Sequence, residues 1–220
     1  MAVLPPLEKL DVDGAVREAA DKVDGHTRAS FLRRAGVGAG AVVGSSAFLG
    51  ALPSIAGAST KVAKSDVAIL NYALTLEYLE AAFYAEAVSE GRFGGNVGKF
   101  AKIVKAHEAA HVAFLKSALG SAAVAKPKFD FKGTTSDEAK FKATAQVLED
   151  TGVAAYLGQV GNIKSPKILL VAGSILPIEA RHAGWIRDIN GVPGAPKAFE
   201  GAKSMNQILS AVKGTGFIVS

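Results

Sequence analysis

The sequence contains no cysteine and only four histidines among its 220 residues. The absence of cysteine excludes disulfides, thiolate zinc sites, iron–sulfur clusters and thiol nucleophiles. Any bound metal would therefore depend on histidine and carboxylate side chains. The net charge of +5 is spread along the chain without an arginine-rich, zinc-finger or RNA-recognition motif, so the sequence predicts no nucleic-acid partner. Because 49% of the residues are hydrophobic, the chain can bury a substantial core.

The first 58 residues differ in composition from the rest of the chain. The basic stretch HTRASFLRR, which begins at His26, leads into AGVGAGAVVGSSAFLGALPSIAGAST, which is apolar but rich in glycine and alanine. Ala56-Gly57-Ala58 provides an A-x-A cleavage site, so the segment has the three-part layout of an export signal. The alternative is a transmembrane anchor, but glycine, serine and alanine are weakly hydrophobic and Pro53 interrupts the stretch.

Residues 27–33, TRASFLR, resemble the twin-arginine export motif S/T-R-R-x-F-L-K. Ala29 occupies the position of the second arginine, so the sequence leaves the export route open. We predict an N-terminal extension with an export signal over residues 1–58 and one domain over residues 59–220. The mature protein is expected to be periplasmic or extracellular, exported by a twin-arginine-like signal, and without stable membrane insertion once that signal is removed.

Four long segments of the remaining chain have helical periodicity. The predicted helices run from Ser65 to about Ser89, from about Asn96 to Gly120, from Thr135–Glu138 to about Gly161, and from Ser165 to just before Asn190. The last of them opens with a capping serine followed by proline at the first helical position. At about 1.5 Å per residue, these helices are roughly 35–39 Å long. No stretch shows the sustained alternation that is typical of strands.

The lengths of the connections indicate the topology. Short links join the first helix to the second and the third to the fourth, which predicts two antiparallel hairpins. The link from Ser121 to Thr134 reaches roughly 46–50 Å when extended, enough to run the length of a bundle. Phe129 and Phe131 are expected to fix this link to the bundle. The sequence therefore predicts the all-α class, as a ferritin-like four-helix bundle in which a long crossover joins two hairpins.

The same chemical pattern occurs once in each predicted hairpin. Each copy has a glutamate, a tyrosine seven residues later, and a Glu-x-x-His motif on the next helix. The residues are Glu77, Tyr84, Glu108 and His111 in the first copy, and Glu149, Tyr156, Glu179 and His182 in the second. Residues three apart on a helix share one face, and seven residues are close to two turns. All eight side chains are therefore expected on the apolar faces that form the bundle core.

Four carboxylates and two imidazoles in an apolar core indicate a site for two metal ions, because unpaired carboxylates there would repel one another. The predicted ligands are Glu77, Glu108, His111, Glu149, Glu179 and His182. In this hypothesis Glu108 and Glu179 bridge or chelate the ions, and each histidine binds one ion. Tyr84 and Tyr156 are expected to hydrogen-bond the ligands. The mostly oxygen ligand set suits iron, which is the first expectation, or manganese.

His107 gives the string HEAAH a second interpretation, the H-E-x-x-H motif of zinc proteases. Ile178 stands at the matching place in the second copy, no third histidine follows, and a helical bundle lacks the edge strand on which such proteases align substrate. We therefore reject this interpretation. His107 is then expected to be a helix-edge residue, with support of a metal ligand as the alternative. Glu80 is expected to be a flank carboxylate, with a spare ligand as its alternative.

The four helix segments resemble the ferritin-like superfamily, and more closely the bacterial exported ferritin-like domain proteins related to plant desiccation-related proteins. The resemblance rests on LTLEYLEAAFY, KAHEAAHVAFL, LEDTGVAAYLG and ILPIEARHAGWI, and it covers roughly residues 62–215. It implies a dimetal centre, with a residue of the expected type at each of the six ligand positions.

Two functions are compatible with these features. The first is a redox-active dimetal protein, like a ferroxidase, peroxidase or catalase, that oxidises ferrous iron or consumes peroxide or oxygen in stress protection. The second is a non-catalytic metal-binding or desiccation-protection protein that keeps the site for stability. A ferritin-type storage cage is less favoured, because KSMNQILSAVK after Gly191 predicts a short helix unlike a cage-pore helix. The expected partners are metal ions and small oxidants, and assembly into homo-oligomers is left open.

Overall fold

The computed structural model describes residues 63–219. The predicted export signal, and the domain boundary after residue 58, lie outside the described residues and stay predictions. The described helices are α1 (Lys64–Glu86), α2 (Gly95–Leu119), α3 (Glu138–Gln159), α4 (Pro166–Ile189) and α5 (Met205–Thr215). Two strands of two residues each, β1 (Lys128–Phe129) and β2 (Ile218–Val219), complete the regular elements. The predicted all-α class is confirmed, and within residues 63–219 no helix is long and apolar enough to span a membrane.

The ends of the helices follow local chemistry. Asp137 caps α3, and its side chain accepts a 2.8 Å hydrogen bond from the backbone N–H of Lys140. Ser165 and Pro166 open α4 at the predicted positions. Ser65 was expected to cap the first helix. This prediction is wrong, because α1 already begins at Lys64 and no side chain caps it. Beyond α1 the chain continues through a wider π-helical turn, Ala87–Gly91, which extends just past the predicted end near Ser89.

The buried side chain of Asp66 ties the start of α1 to the start of α4. It accepts hydrogen bonds from the backbone N–H groups of Lys164, at 3.0 Å, and Ser165, at 2.8 Å. These two groups precede the first turn of α4, where backbone donors lack partners within the helix. A residue on one hairpin therefore sets the position at which a helix of the other hairpin begins.

The helices pack as two hairpins. The most extensive contacts are those of α1 with α2 and of α3 with α4, and contacts of α2 with α4 and of α1 with α3 join the hairpins. The crossover between α2 and α3 contains β1, which pairs in antiparallel fashion with β2 after the predicted short helix α5. Phe131 of the crossover is buried, and its ring lies 5.4 Å from that of Phe83. The expected attachment of the crossover is confirmed.

The apolar core has two parts. On α2 and α4, the residues of one part are separated from those of the other by the polar residues of the predicted metal site. The first part is rich in aromatic rings and includes Phe83, Phe100, Phe131, Phe141 and Ile186. The second is mostly aliphatic and includes Leu70, Leu74, Leu115, Ile168 and Ile175. This arrangement surrounds a small polar cluster with apolar side chains and shields it from solvent.

Candidate metal centre

The helices α1 to α4 bring all six predicted ligands together in the core. The four glutamates have no exposed surface, and His182 is 3% exposed. The side chains fall into two groups, in each of which one ligand atom per residue lies within 4.8 Å of the others. The first group is Glu77, Glu108, His111 and Glu179, and the second is Glu108, Glu149, Glu179 and His182. Glu108 and Glu179 belong to both groups, which is the arrangement that two bridging carboxylates require.

In the first group, the Nδ1 atom of His111 is surrounded by three carboxylates. It lies 3.2 Å from Glu77 Oε2, 3.2 Å from Glu108 Oε2 and 3.3 Å from Glu179 Oε1. A ring nitrogen carries at most one hydrogen, so it cannot satisfy three acceptors at once. The four atoms instead face a common point.

The second group has the same arrangement around His182. Its Nδ1 atom lies 3.2 Å from Glu108 Oε1 and 3.2 Å from Glu149 Oε2. These three atoms, together with both carboxylate oxygens of Glu179, are buried without a hydrogen-bond partner among residues 63–219. Buried polar atoms are rarely left without partners, because each one costs free energy. A set of them aimed at one another is compatible with metal binding.

The spacing of these atoms fits a metal ion. Ligand atoms about 2.1 Å from one ion lie about 3.0 Å apart at octahedral angles and about 3.4 Å apart at tetrahedral ones. The nitrogen–oxygen distances of 3.2 to 3.3 Å fall close to these values. Carboxylate oxygens and imidazole nitrogens are also ligands that iron and manganese accept. The cluster is therefore compatible with metal binding.

A comparison with protein families agrees with this geometry. The family model described as ferritin-like domain matches residues 65–192, which is more than half of the chain and includes α1 to α4. The chain belongs to the ferritin-like domain family. A search of curated proteins found no match. All six candidate ligands lie within the range that matches the ferritin-like domain.

The electrostatics of this ferritin-like domain show how costly the cluster is without cations. Burial raises the pKa of Glu77 to about 7. Burial and the negative charge of neighbouring glutamates raise the pKa values of Glu80 and Glu179 well above their usual range. Although burial lowers the pKa of His182, its contacts with Glu108 and Glu149 raise it to about 10. Protons thus replace part of the positive charge that bound metals would supply.

The two tyrosines of the ferritin-like domain hold the terminal carboxylates. The hydroxyl of Tyr84 donates a hydrogen bond to Glu149 Oε1, and that of Tyr156 donates one to Glu77 Oε1. The predicted hydrogen bonds to ligands are present, but each tyrosine binds the glutamate of the other repeat. In both glutamates the second oxygen, Oε2, remains free to face a histidine. The tyrosines therefore orient one oxygen of each terminal carboxylate toward the metal position.

His107 contacts a candidate ligand of the ferritin-like domain. Its Nδ1 atom lies 2.8 Å from Nε2 of His182, and the two rings stack with centroids 5.1 Å apart. His107 is also exposed to solvent, so it is at the helix edge as expected. The alternative role, support of a ligand, is the one that its contact favours. With the Nδ1 of His182 facing the carboxylates, its Nε2–H can donate to His107 and hold the ring in place.

Glu80 lies inside the polar cluster. Its side chain is 4% exposed, so the expectation of a flank carboxylate was wrong. The available signal was its position three residues after Glu77, which is the step that separates Glu108 from His111. The second repeat has Gly152 at the matching place.

Proposed function

We propose that this ferritin-like protein binds two iron or manganese ions per chain and uses them to oxidise ferrous iron or to consume peroxide or oxygen. The observation that carries this proposal is the sharing of Glu108 and Glu179 between two four-residue groups, each with its own histidine. A site for a single ion would not need a second imidazole and a second terminal carboxylate at matching distances.

Each residue has a role in this proposal. Glu108 and Glu179 would contribute to both ions, His111 and His182 would each hold one of them, and Glu77 and Glu149 would each complete one position. When bound, two redox-active ions side by side supply the two electrons that reduce peroxide to water when two protons are added. The apolar residues around the cluster exclude bulk water and strengthen the electrostatic interactions within it.

We also propose that the protein acts outside the cytoplasm in protection against oxidative stress or desiccation. The basic and apolar segments before Ser59 support export, as does the resemblance to exported desiccation-related proteins. Residues 1–65 should deliver a reporter across the membrane when fused to it, and Ala29→Arg should increase the yield if the twin-arginine route is used. A reporter that stays in the cytoplasm in both forms would refute the proposed export.

Metal content tests the dimetal site directly. The full chain purified from its own host should contain about two metal ions, measured by elemental analysis, and an electronic spectrum should identify the metal. His111→Ala combined with His182→Ala should abolish this loading and leave the protein helical. Glu138→Ala, which removes an exposed carboxylate of the domain away from the site, is the control and should retain both ions. Equal metal content in the double variant and the wild type would refute the ligand assignment.

Consumption of an oxidant distinguishes the two functions. Protein loaded with iron or manganese should consume oxygen or peroxide, or accelerate the oxidation of ferrous iron, faster than the double histidine variant does. If the protein holds two ions and shows none of these reactions, the non-catalytic metal-binding function is the correct one.

A further inference from the structure

We propose that Glu80 is a seventh metal-binding residue, that it serves only the position formed by Glu108, Glu149, Glu179 and His182, and that it makes the two metal positions unequal. This inference rests on the dimetal function proposed above. We call the position at His111 position one and the position at His182 position two.

The two repeats of the chain match at every candidate ligand but differ at this residue. Glu77 corresponds to Glu149, and the residue three places later is Glu80 in the first repeat and Gly152 in the second. A strictly symmetric site would have either two additional carboxylates or none. The chain has one, and the residue opposite it has no side chain.

The space left by Gly152 is filled by carboxylates. A Cβ atom added at Gly152 would lie 2.8 Å from Oε2 of Glu179 and 3.4 Å from Oε1 of Glu80. Oxygens of the two glutamates therefore approach the same point on the surface of α3. A methyl group at that point would be too close to the Glu179 oxygen, so glycine allows both carboxylates to occupy this side of the cluster.

The carboxylate of Glu80 lacks a partner in the described part of the chain. Its side chain is 4% exposed, and no hydrogen bond or ion pair to it is found among residues 63–219. A buried carboxylate without a hydrogen bond or a cation is strongly disfavoured. Both oxygens of the neighbouring Glu179 are fully buried without a hydrogen-bond partner among residues 63–219. One cation beside both carboxylates would neutralise them together.

Glu80 belongs to neither four-residue group, but its carboxylate lies beside position two. It faces Gly152 on α3, one turn after Glu149, which is a ligand of position two only. Besides burial, the negative charges that most raise the pKa of Glu80 are those of Glu179 and then Glu149, ahead of Glu77 on its own helix. Position two would thus have four carboxylates and one histidine, against three carboxylates and one histidine at position one.

The consequence is a difference in affinity. An additional anionic oxygen ligand favours a hard divalent cation such as Mn²⁺. Position two should therefore bind the first ion more tightly than position one binds the second.

Titration of the full chain with Mn²⁺, after its metals have been removed with a chelator, tests the inference by calorimetry. The wild type should bind two ions in two resolved steps. In Glu80→Gln, which keeps the shape but removes the charge, the tighter step should weaken by at least about tenfold, the lower end of the range for groups that support metal ligands. The weaker step should change little. Glu90→Gln removes an exposed carboxylate farther along the same segment and should leave both steps unchanged.

Each outcome has a distinct meaning. Two bound ions in both proteins, with the same two affinities, would refute the role of Glu80 and leave the dimetal site intact. A wild type that binds no Mn²⁺ would refute the dimetal site and this inference together. If Glu80→Gln does not fold, as judged by circular dichroism, the wild type alone decides, because two steps of equal affinity contradict the inference.

Discussion

Removal of the metals should make the stability of the protein depend on pH in an unusual direction. Most folded proteins lose stability in acid, because carboxylates that are paired in the fold become protonated. Here the buried glutamates lack cations when the metal is absent. Their raised pKa values mean that the folded protein holds protons that the unfolded chain releases. We therefore expect the metal-free protein to become less stable as the pH rises from 5 to 8.

The size of this effect can be worked out for Glu77. Burial raises its pKa from 4.5 to about 7. At about 1.36 kcal/mol per pH unit, its contribution to the free energy of unfolding should fall by about 2.5 kcal/mol between pH 5 and 8. For a domain of this size, about 2–4 °C per kcal/mol corresponds to a decrease in Tm of about 5–10 °C. Glu80 and Glu179, whose pKa values are also raised, should add to this loss.

The other groups of the cluster do not reverse the sign, although His107, whose pKa is lowered by burial, acts in the opposite direction. The pKa of His182 is raised to about 10, so its stabilising effect is complete below about pH 6.5 and is also lost as the pH rises. Although burial raises the pKa of Glu108, hydrogen bonds with His111 and His182 lower it below its usual range. The contribution of Glu108 is therefore present above pH 4.5, its usual value, and is lost only in stronger acid.

Thermal melting of metal-free and metal-loaded protein at pH 5, 6, 7 and 8 measures the effect. Bound metal should stabilise the deprotonated ligands, so the difference in Tm between the two forms should widen as the pH rises. Glu77→Gln should reduce the pH dependence of the metal-free form. Glu138→Gln, which removes an exposed carboxylate paired with Lys142, should leave it unchanged. A metal-free Tm that is constant or rises between pH 5 and 8 would refute the reasoning.

Three further predictions concern residues around the site. Tyr84→Phe and Tyr156→Phe should each weaken metal binding about 10- to 100-fold in a titration, because a ligand loses its orienting hydrogen bond. As a control, Tyr72→Phe removes a buried hydroxyl without a described partner and should leave metal binding unchanged. His107→Ala should weaken the binding step at position two by about tenfold, since His182 loses its hydrogen-bond partner. An equal effect on both binding steps would contradict this role of His107. Asp66→Ala should lower the free energy of unfolding by about 1–3 kcal/mol in a denaturant titration, because two backbone donors lose their acceptor, whereas Asp66→Asn, which keeps one oxygen, should lower it less.

The sequence was sufficient for the bundle and for the convergence of the six candidate ligands, because both depend on local periodicity. Residues three apart on a helix share a face whatever the helix packs against. The glutamate and the histidine of each Glu-x-x-His motif therefore lie on the same face of their helix. The alignment of glutamates with apolar faces then placed them in the core, where the structure has them.

Features that depend on which helices are neighbours could not be predicted in the same way. The tyrosines bind glutamates on the opposite helix, 65 and 79 residues away in sequence. Asp66 accepts hydrogen bonds from residues 98 and 99 positions further along the chain. Helical periodicity gives the face of a residue but not the atom across from it. The expectation that Glu80 is a flank carboxylate failed for the same reason, because Glu80 packs beside Gly152 of another helix.

The two hairpins repeat the same pattern of candidate ligands, so the positions at which they differ are informative. Under the proposed function, two hairpins with matching chemistry would give two equivalent metal positions. Two of these differences contact the cluster, and both lie beside position two. They are Glu80, which matches Gly152, and His107, which matches Ile178. One departure adds a negative charge, and the other connects a ligand to the protein surface. Under this proposal, two ions in such a site would differ in affinity, so that one could remain bound while the other exchanges.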